Sequence, residues 1–407
     1  MSTAAIIAEY NPFHTGHLYQ IDKVREITGA ENIVIVMSGN YVQRGIPAVF
    51  DKYTRTHMAL SCGCDAVFEL PVFYSTGSAE YFASGAVNLV ASLGCADYLC
   101  FGCETENIDL IKDIAGILIS EPSEYKNHLQ DFLKSGMPFA KSRIKALLTM
   151  FKNEEYDEVL HILSSPNSIL AIEYVKAILK NNYNIKPVII RRDYGYHSDS
   201  LTEKFASASG IRKSISTSSA DAVKDYIPEQ IWDIFTSALP VSENDFSDFL
   251  FYKILFADSL EDYLDVNKFL ANSINNNQKN CKTFNGLTSM ISGKHITTGR
   301  CNRALIHIML DITTADINSY IKNNYNRYIR MLGFRKSHSS LLSAIKQNSS
   351  LPVISKMSDS AKLLDDTSLS MLKHNIRCDD LYNFVLSQKY NLNNLKNEYT
   401  TGMIVYD

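Results

Sequence analysis

The chain has 407 residues, which at roughly 150 residues per domain allows two or three domains and excludes a single small module. Forty Lys+Arg against 44 Asp+Glu leave a net charge of -4, and 45% of the residues are hydrophobic. Neither a polybasic nucleic-acid coat nor a disordered chain fits those figures. No apolar run approaches the roughly 18 residues of a membrane span, and the N-terminus carries neither a basic region nor a cleavage site, so a cytoplasmic protein with no membrane partner is expected. Eight cysteines are too dilute for a disulfide scaffold. The close pairs Cys62/Cys64 and Cys100/Cys103 read as small buried hydrophobes rather than zinc ligands.

The first 225 residues alternate short apolar runs with helical patterns, the signature of a parallel α/β sheet. Strands are expected at 4–8, 33–37, 66–70, 98–101 and 187–190, each apolar enough to be covered on both faces. Leu18, Ile21, Val24 and Ile27 mark a helix after the first strand. Phe82, Ala86, Leu89, Val90 and Leu93 mark another, with Gly94 as its C-cap. A helical insertion is expected at about 108–165, before the last strand. Beyond Tyr226 no strand–helix alternation is visible, so 226–407 reads as a mostly helical C-terminal domain, with the Asn-rich stretch 272–285 as a loop.

The strongest chemical signal directly follows the first strand: Glu9-Tyr10-Asn11-Pro12-Phe13-His14-Thr15-Gly16-His17-Leu18. Pro12 breaks the strand, and a helix begins near Gly16. Two imidazoles three residues apart at a helix N-terminus can converge on one anion, where unpaired N–H groups and the dipole assist. Gly16 removes a side chain where a base or ribose would lie. A metal site would need further ligands that the spacing does not supply.

His14-Thr15-Gly16-His17 resembles the HxGH motif of the nucleotidyltransferase superfamily related to class I aminoacyl-tRNA synthetases, and Ser207-Ala208-Ser209-Gly210-Ile211-Arg212 resembles its second, Ser-rich element. Five stretches narrow the likeness: 7–14, 37–45, 68–71, 101–104 and 195–197 (Gly195-Tyr196-His197). They are similar to the bacterial tRNA(Met) cytidine acetate ligases. That resemblance implies a Rossmann-like domain over 1–225 and a C-terminal helical domain over 226–407 that binds tRNA. The implied reaction joins acetate and ATP into acetyl-adenylate, then moves acetyl to N4 of the wobble cytidine in the anticodon region of elongator tRNA(Met). ATP is consumed as a substrate, with Mg²⁺ as a candidate companion.

Catalysis is expected from His14 and His17. The resemblance implies ATP contacts along Ile7, Ala8, Glu9, Tyr10, Asn11, Pro12, Phe13, His14, Thr15, Gly16, His17, Leu18, Tyr19 and Gln20, and from Gly102, Asn167, Arg192, Ser209 and Arg212. Asn167 can also cap a helix. The loop 38–45 carries Asn40, Gln43 and Arg44 and is a candidate to cover acetate or admit cytidine, or a plain connector; Lys52 and Arg55 are candidates for phosphate or RNA, or for a solvated helix face. Between Arg300 and Lys336 seven basic residues face two acidic ones, interleaved with Tyr320, Tyr325, Tyr328 and Phe334, a candidate RNA surface. Lys141, Arg143, Lys145 and Lys152 form a second basic group. The competing readings are a nucleotidyltransferase acting on a small phosphorylated acceptor, which leaves the helical residues unexplained, and a noncatalytic tRNA-binding protein, which leaves the intact motif unexplained.

Overall fold

The computed structural model describes residues 2–191, 207–217, 220–293, 296–393 and 395–407. Arg192 and the stretch 195–197 lie outside the described residues.

Ten strands are present among the described residues: β1 (Thr3–Ala8), β2 (Asn32–Ser38), β3 (Tyr41–Val42), β4 (Ile46–Pro47), β5 (Ala66–Leu70), β6 (Tyr98–Cys103), β7 (Lys186–Arg191), β8 (Ile329–Arg335), β9 (Val353–Ile354) and β10 (Ile404–Tyr406). β3 and β4 pair in a small hairpin. The others form one sheet in the order β10-β8-β5-β2-β1-β6-β7, with β9 beside β8. The run β5-β2-β1-β6-β7 is parallel throughout, and its order, 3-2-1-4-5 by chain position, is that of a doubly wound nucleotide-binding sheet. β1 and β6 lie side by side at its centre, where the winding reverses. Ligands bind such sheets outside the carboxyl ends of the strands at that point.

Period-two alternation in the central strands feeds two cores. Ala5, Val34, Val36 and Phe68 pack on one face with the helices Ala79–Ser92 and Pro166–Lys180. Ala4, Ile6, Ile33, Ile35 and Met37 pack on the other with Thr15–Thr28, Lys52–Ser61 and Ala208–Thr217. After Ala79–Ser92, Gly94 adopts φ +69, and a Cβ there would lie 2.1 Å from the Asn348 carbonyl oxygen. Only glycine fits that turn. Between β6 and β7 run the helices Ile108–Ser120, Ser123–Lys134, Phe139–Leu148 and Tyr156–Ser164.

The C-terminal stretch departs from the sequence expectation. It holds many helices, among them Ser247–Phe256, Thr298–Met309 and Asp366–Tyr390, but it also gives three strands to the central sheet. β8 pairs antiparallel with β5. Arg330 and Arg335 disguise β8 as a basic surface segment, and β9 and β10 are too short to show a period. The stretch 272–285 is likewise not a continuous loop, since Lys268–Asn277 is helical. Asn267 caps it by accepting the Leu270 N–H, and Leu270, Ala271 and Ile274 bury one face while its asparagines occupy the rest.

Candidate active site

β1 ends at Ala8, Tyr10 turns the chain at φ 47, and the Asn11–Pro12 peptide is cis. The Asn11 side-chain oxygen accepts the Val49 N–H at 2.8 Å, tying the loop to the segment behind it. The next helix begins at Thr15 with His14 as its N-cap. His14 Nδ1 accepts the Gly16 N–H at 3.1 Å, and His17 Nδ1 accepts the His14 N–H at 3.3 Å, a reciprocal capping pair built from imidazoles. The rings stack with centroids 3.8 Å apart. Because each Nδ1 is an acceptor, the proton of each neutral ring is assigned to Nε2. The motif therefore presents two side-chain N–H donors beside a helix N-terminus, an arrangement suited to an anion that gains charge during reaction.

A cleft of about 290 Å³ opens here, close to the lower bound of roughly 300 Å³ for small-molecule pockets. Of the expected ATP residues, Ile7, Ala8, Glu9, Tyr10, Asn11, His14, Gly16, His17, Tyr19, Gln20, Gly102, Asn167, Ser209 and Arg212 line it. Pro12, Phe13, Thr15 and Leu18 do not. Phe13 is fully buried under the loop, 4.7 Å from the Tyr10 ring, and Leu18 packs on the same core; they shape the site from beneath. Gly102 lies near the end of β6 next to β1, where the backbone is open to a ligand. Asn167 donates to Glu104 at 2.7 Å, and the same carboxylate accepts the Ser168 N–H at 3.0 Å. Glu104, not Asn167, thus satisfies the N-terminus of the helix Pro166–Lys180.

Ser207 caps the helix Ala208–Thr217 by accepting the Gly210 N–H. Arg212 Nη2 donates to Ser209 Oγ at 3.2 Å, and its Nη1 donates to the Asn11 carbonyl, joining the two motif elements. Arg44 Nη1 reaches the same Ser209 Oγ at 3.0 Å from the β3–β4 turn. Gly45 makes that turn at φ +71, where a Cβ would lie 2.2 Å from the Arg303 backbone nitrogen. Gln43 and Arg44 line the cleft. Asn40 does not: it is buried, donating to Asp379 and accepting the Lys52 N–H. Sequence reading missed Phe82, Phe101, Leu170 and Tyr174 in the cleft wall. Asn167, Leu170 and Tyr174 are spaced i, i+3, i+7 on one helix face, a spacing that by itself does not separate a cleft wall from a core wall.

Lys52 and Arg55 are neither phosphate ligands nor solvated. Both are fully buried. Lys52 Nζ lies 2.9 Å from Glu69, 2.7 Å from Asp379 and 3.1 Å from Glu398. Burial opposes the ammonium, yet the attraction of these carboxylates holds its pKa well above the usual value. Burial, with Glu69 and Glu398 adding to it and Lys52 opposing, pushes the Asp379 carboxyl well up. Glu69, Asp379 and Glu398 are the one group among the described residues close enough to share a metal ion. Lys52 already supplies their cation. Arg55 donates to the carbonyls of Glu9, Ser38, Gly39 and Phe50, bracing the carboxyl ends of β1 and β2 just below the cleft.

The 300–336 stretch is not an open stacking surface. Tyr320 and Tyr328 are buried, as is Arg330, whose Nη2 lies 3.8 Å from Glu398. Arg303 pairs with Asp265 and Arg327 with Asp365. In the second basic group Arg143 pairs with Glu173, whereas Lys141, Lys145 and Lys152 are exposed. No helix among the described residues is long and apolar enough to cross a membrane. Cys62, Cys64, Cys100 and Cys103 are buried free thiols, and burial raises the pKa of each.

Residues 1–398 match the family described as HIGH Nucleotidyl Transferase. The chain is 38% identical over 403 residues to a Halothermothrix orenii protein named tRNA(Met) cytidine acetate ligase, covering 96% of this chain and 95% of that one. It is 40% identical to a Clostridium novyi protein of the same name, covering 90% and 92%. The crystal structure of Thermotoga maritima TmcAL bound with alpha-thio ATP superposes with a TM-score of 0.92 at 28% identity, covering all of both chains. The chain belongs to the HIGH nucleotidyl transferase family and, within it, to the tRNA(Met) cytidine acetate ligases.

Proposed function

We propose that the protein activates acetate with ATP and transfers the acetyl group to N4 of the wobble cytidine of elongator tRNA(Met). Acetate has no leaving group, and the N4 lone pair of cytosine is delocalised into the ring, so neither reacts with the other unaided. In the first step a carboxylate oxygen of acetate attacks the α-phosphorus, pyrophosphate departs, and acetyl-adenylate forms. Negative charge grows on the phosphoryl oxygens in that step. His14 and His17 donate to them through Nε2, His17 acting at the α-phosphate, while Ser209 and Arg212 receive the β- and γ-phosphates at the helix start. Gly102, Asn167 and Arg192 hold the nucleoside.

In the second step the cytosine amine displaces AMP. The exposed Lys141, Lys145 and Lys152 offer phosphate contacts for the tRNA, and a cytoplasmic setting suits both substrates. One observation carries this reading: the two imidazoles are pre-oriented by backbone N–H groups at the winding reversal of the sheet. Incubating the protein with labelled acetate, ATP and tRNA, then digesting the RNA to nucleosides, tests it. Label in N4-acetylcytidine from elongator tRNA(Met), and none from a tRNA lacking that anticodon, is expected. Exchange of pyrophosphate supported by a different acid, or no label in cytidine, would reject the reading.

A further inference from the structure

The cleft has two chemically different sides. His14, His17, Ser209 and Arg212 belong to helices packed on one face of the sheet, the face that buries Ile6, Ile21 and Ile211. Phe82, Phe101 and Tyr174 belong to the opposite core, with Leu170 and Ile7 packed against it. Glu9 follows β1 with the parity of Ile7, so its side chain leaves the strand toward this second side. Its charge, after burial, helps to keep the Tyr174 hydroxyl neutral.

Glu9 is the one carboxylate among the described residues that line the cleft, where Arg44, Arg191 and Arg212 are also found. Both substrates of the first step are anions, and a carboxylate facing them is unfavourable. It must answer to something that donates protons. His14 and His17 cannot accept a proton at Nδ1, which the backbone N–H groups occupy. One Glu9 oxygen accepts the Gln43 N–H at 2.9 Å; the other hydrogen-bonds to none of the described residues.

We infer that Glu9, placed in the ATP-binding stretch by sequence resemblance, is instead the catalytic base of acetyl transfer, facing the exocyclic amine of the acceptor cytosine. A carboxylate is the usual acceptor for cytosine N4–H₂, and half-buried Glu9 lines the same cleft as the paired imidazoles. The balance is simple. The N4 lone pair attacks the acetyl carbonyl carbon, the N–C bond forms, the bond from that carbon to the AMP oxygen breaks, AMP leaves as the phosphate anion, and the N4 proton passes to Glu9. The turn anchored by Gln43 and Arg44 spans both sides and joins the carboxylate to Ser209. This assignment rests on the function proposed above.

Glu9→Gln tests it, because the amide oxygen still accepts the Gln43 N–H. Two half-reactions are measured on wild type and variant: acetate-dependent exchange of labelled pyrophosphate into ATP, and single-turnover acetyl transfer from preformed acetyl-adenylate to tRNA. In the variant, transfer should fall by about 10²–10⁴ more than exchange does, with tRNA affinity retained. Transfer at the wild-type rate would overturn the assignment. Loss of exchange together with transfer would also overturn it, since Glu9 would then serve the nucleotide, directly or through a cation. Failure of the wild-type protein itself to acetylate tRNA would remove the underlying reaction instead, and is told apart because the wild type is run in parallel.

Discussion

Lys52 Nζ donates a buried hydrogen bond to Asp379 Oδ2 at 2.7 Å, although 327 positions separate them. Lys52 sits on the helix whose Arg55 braces the carboxyl ends of β1 and β2, and Asp379 sits on the helix Asp366–Tyr390. The C-terminal half is thereby fastened to the part of the fold that positions the cleft. Removing the cation would leave Glu69, Asp379 and Glu398 buried together without it. Lys52→Met should cost about 3–5 kcal/mol of stability, read as a lower denaturant midpoint in equilibrium unfolding.

Stability should also depend on pH through Asp379. Its folded-state pKa is raised, so the folded protein keeps a proton that the unfolded chain has released. The contribution of this group is fully present below the ordinary carboxylate pKa of about 3.9 and declines as pH rises from there toward the folded value. Asp379→Asn should flatten this part of the stability–pH curve. An unchanged slope in denaturant midpoints measured from about pH 4 upward would assign the dependence to other groups.

His17→Ala removes one preoriented donor and should lower acetyl-adenylate formation by about 10²–10³. Affinity for tRNA, measured by filter binding, should be unaffected. A parallel loss of tRNA affinity would make His17 a support for the loop rather than a group that touches the phosphate.

Charge reversal at Lys141 and Lys145 should weaken tRNA binding. It should also reduce the slope of log affinity against log salt by about 0.9 for each phosphate that is no longer neutralised, or about 0.7 where the strand is single. Pyrophosphate exchange should be unaffected. The same change at Arg330 is expected to unfold the protein, because that guanidinium is buried beside Glu398.

The parallel strands and the His14–His17 motif were legible because their signals are local: an apolar run such as Ile33–Met37, a proline break, two imidazoles at fixed spacing. β8 was not, since Arg330 and Arg335 look like surface charge until Glu398, from a distant part of the chain, is brought alongside Arg330. Lys52 and Arg55 failed for the same reason. Nothing near them in sequence announces that carboxylates at 69, 379 and 398, or the carbonyls at 9, 38 and 39, will enclose them. Tyr174 was concealed differently, by a helical pattern that does not distinguish a core wall from a cleft wall.

The most direct test of the paired imidazoles as the triphosphate site is exchange of labelled pyrophosphate into ATP, with and without acetate, by wild type and His17→Ala. Exchange that requires acetate and is nearly abolished in the variant is the expected result. Exchange at the wild-type rate in His17→Ala would contradict it.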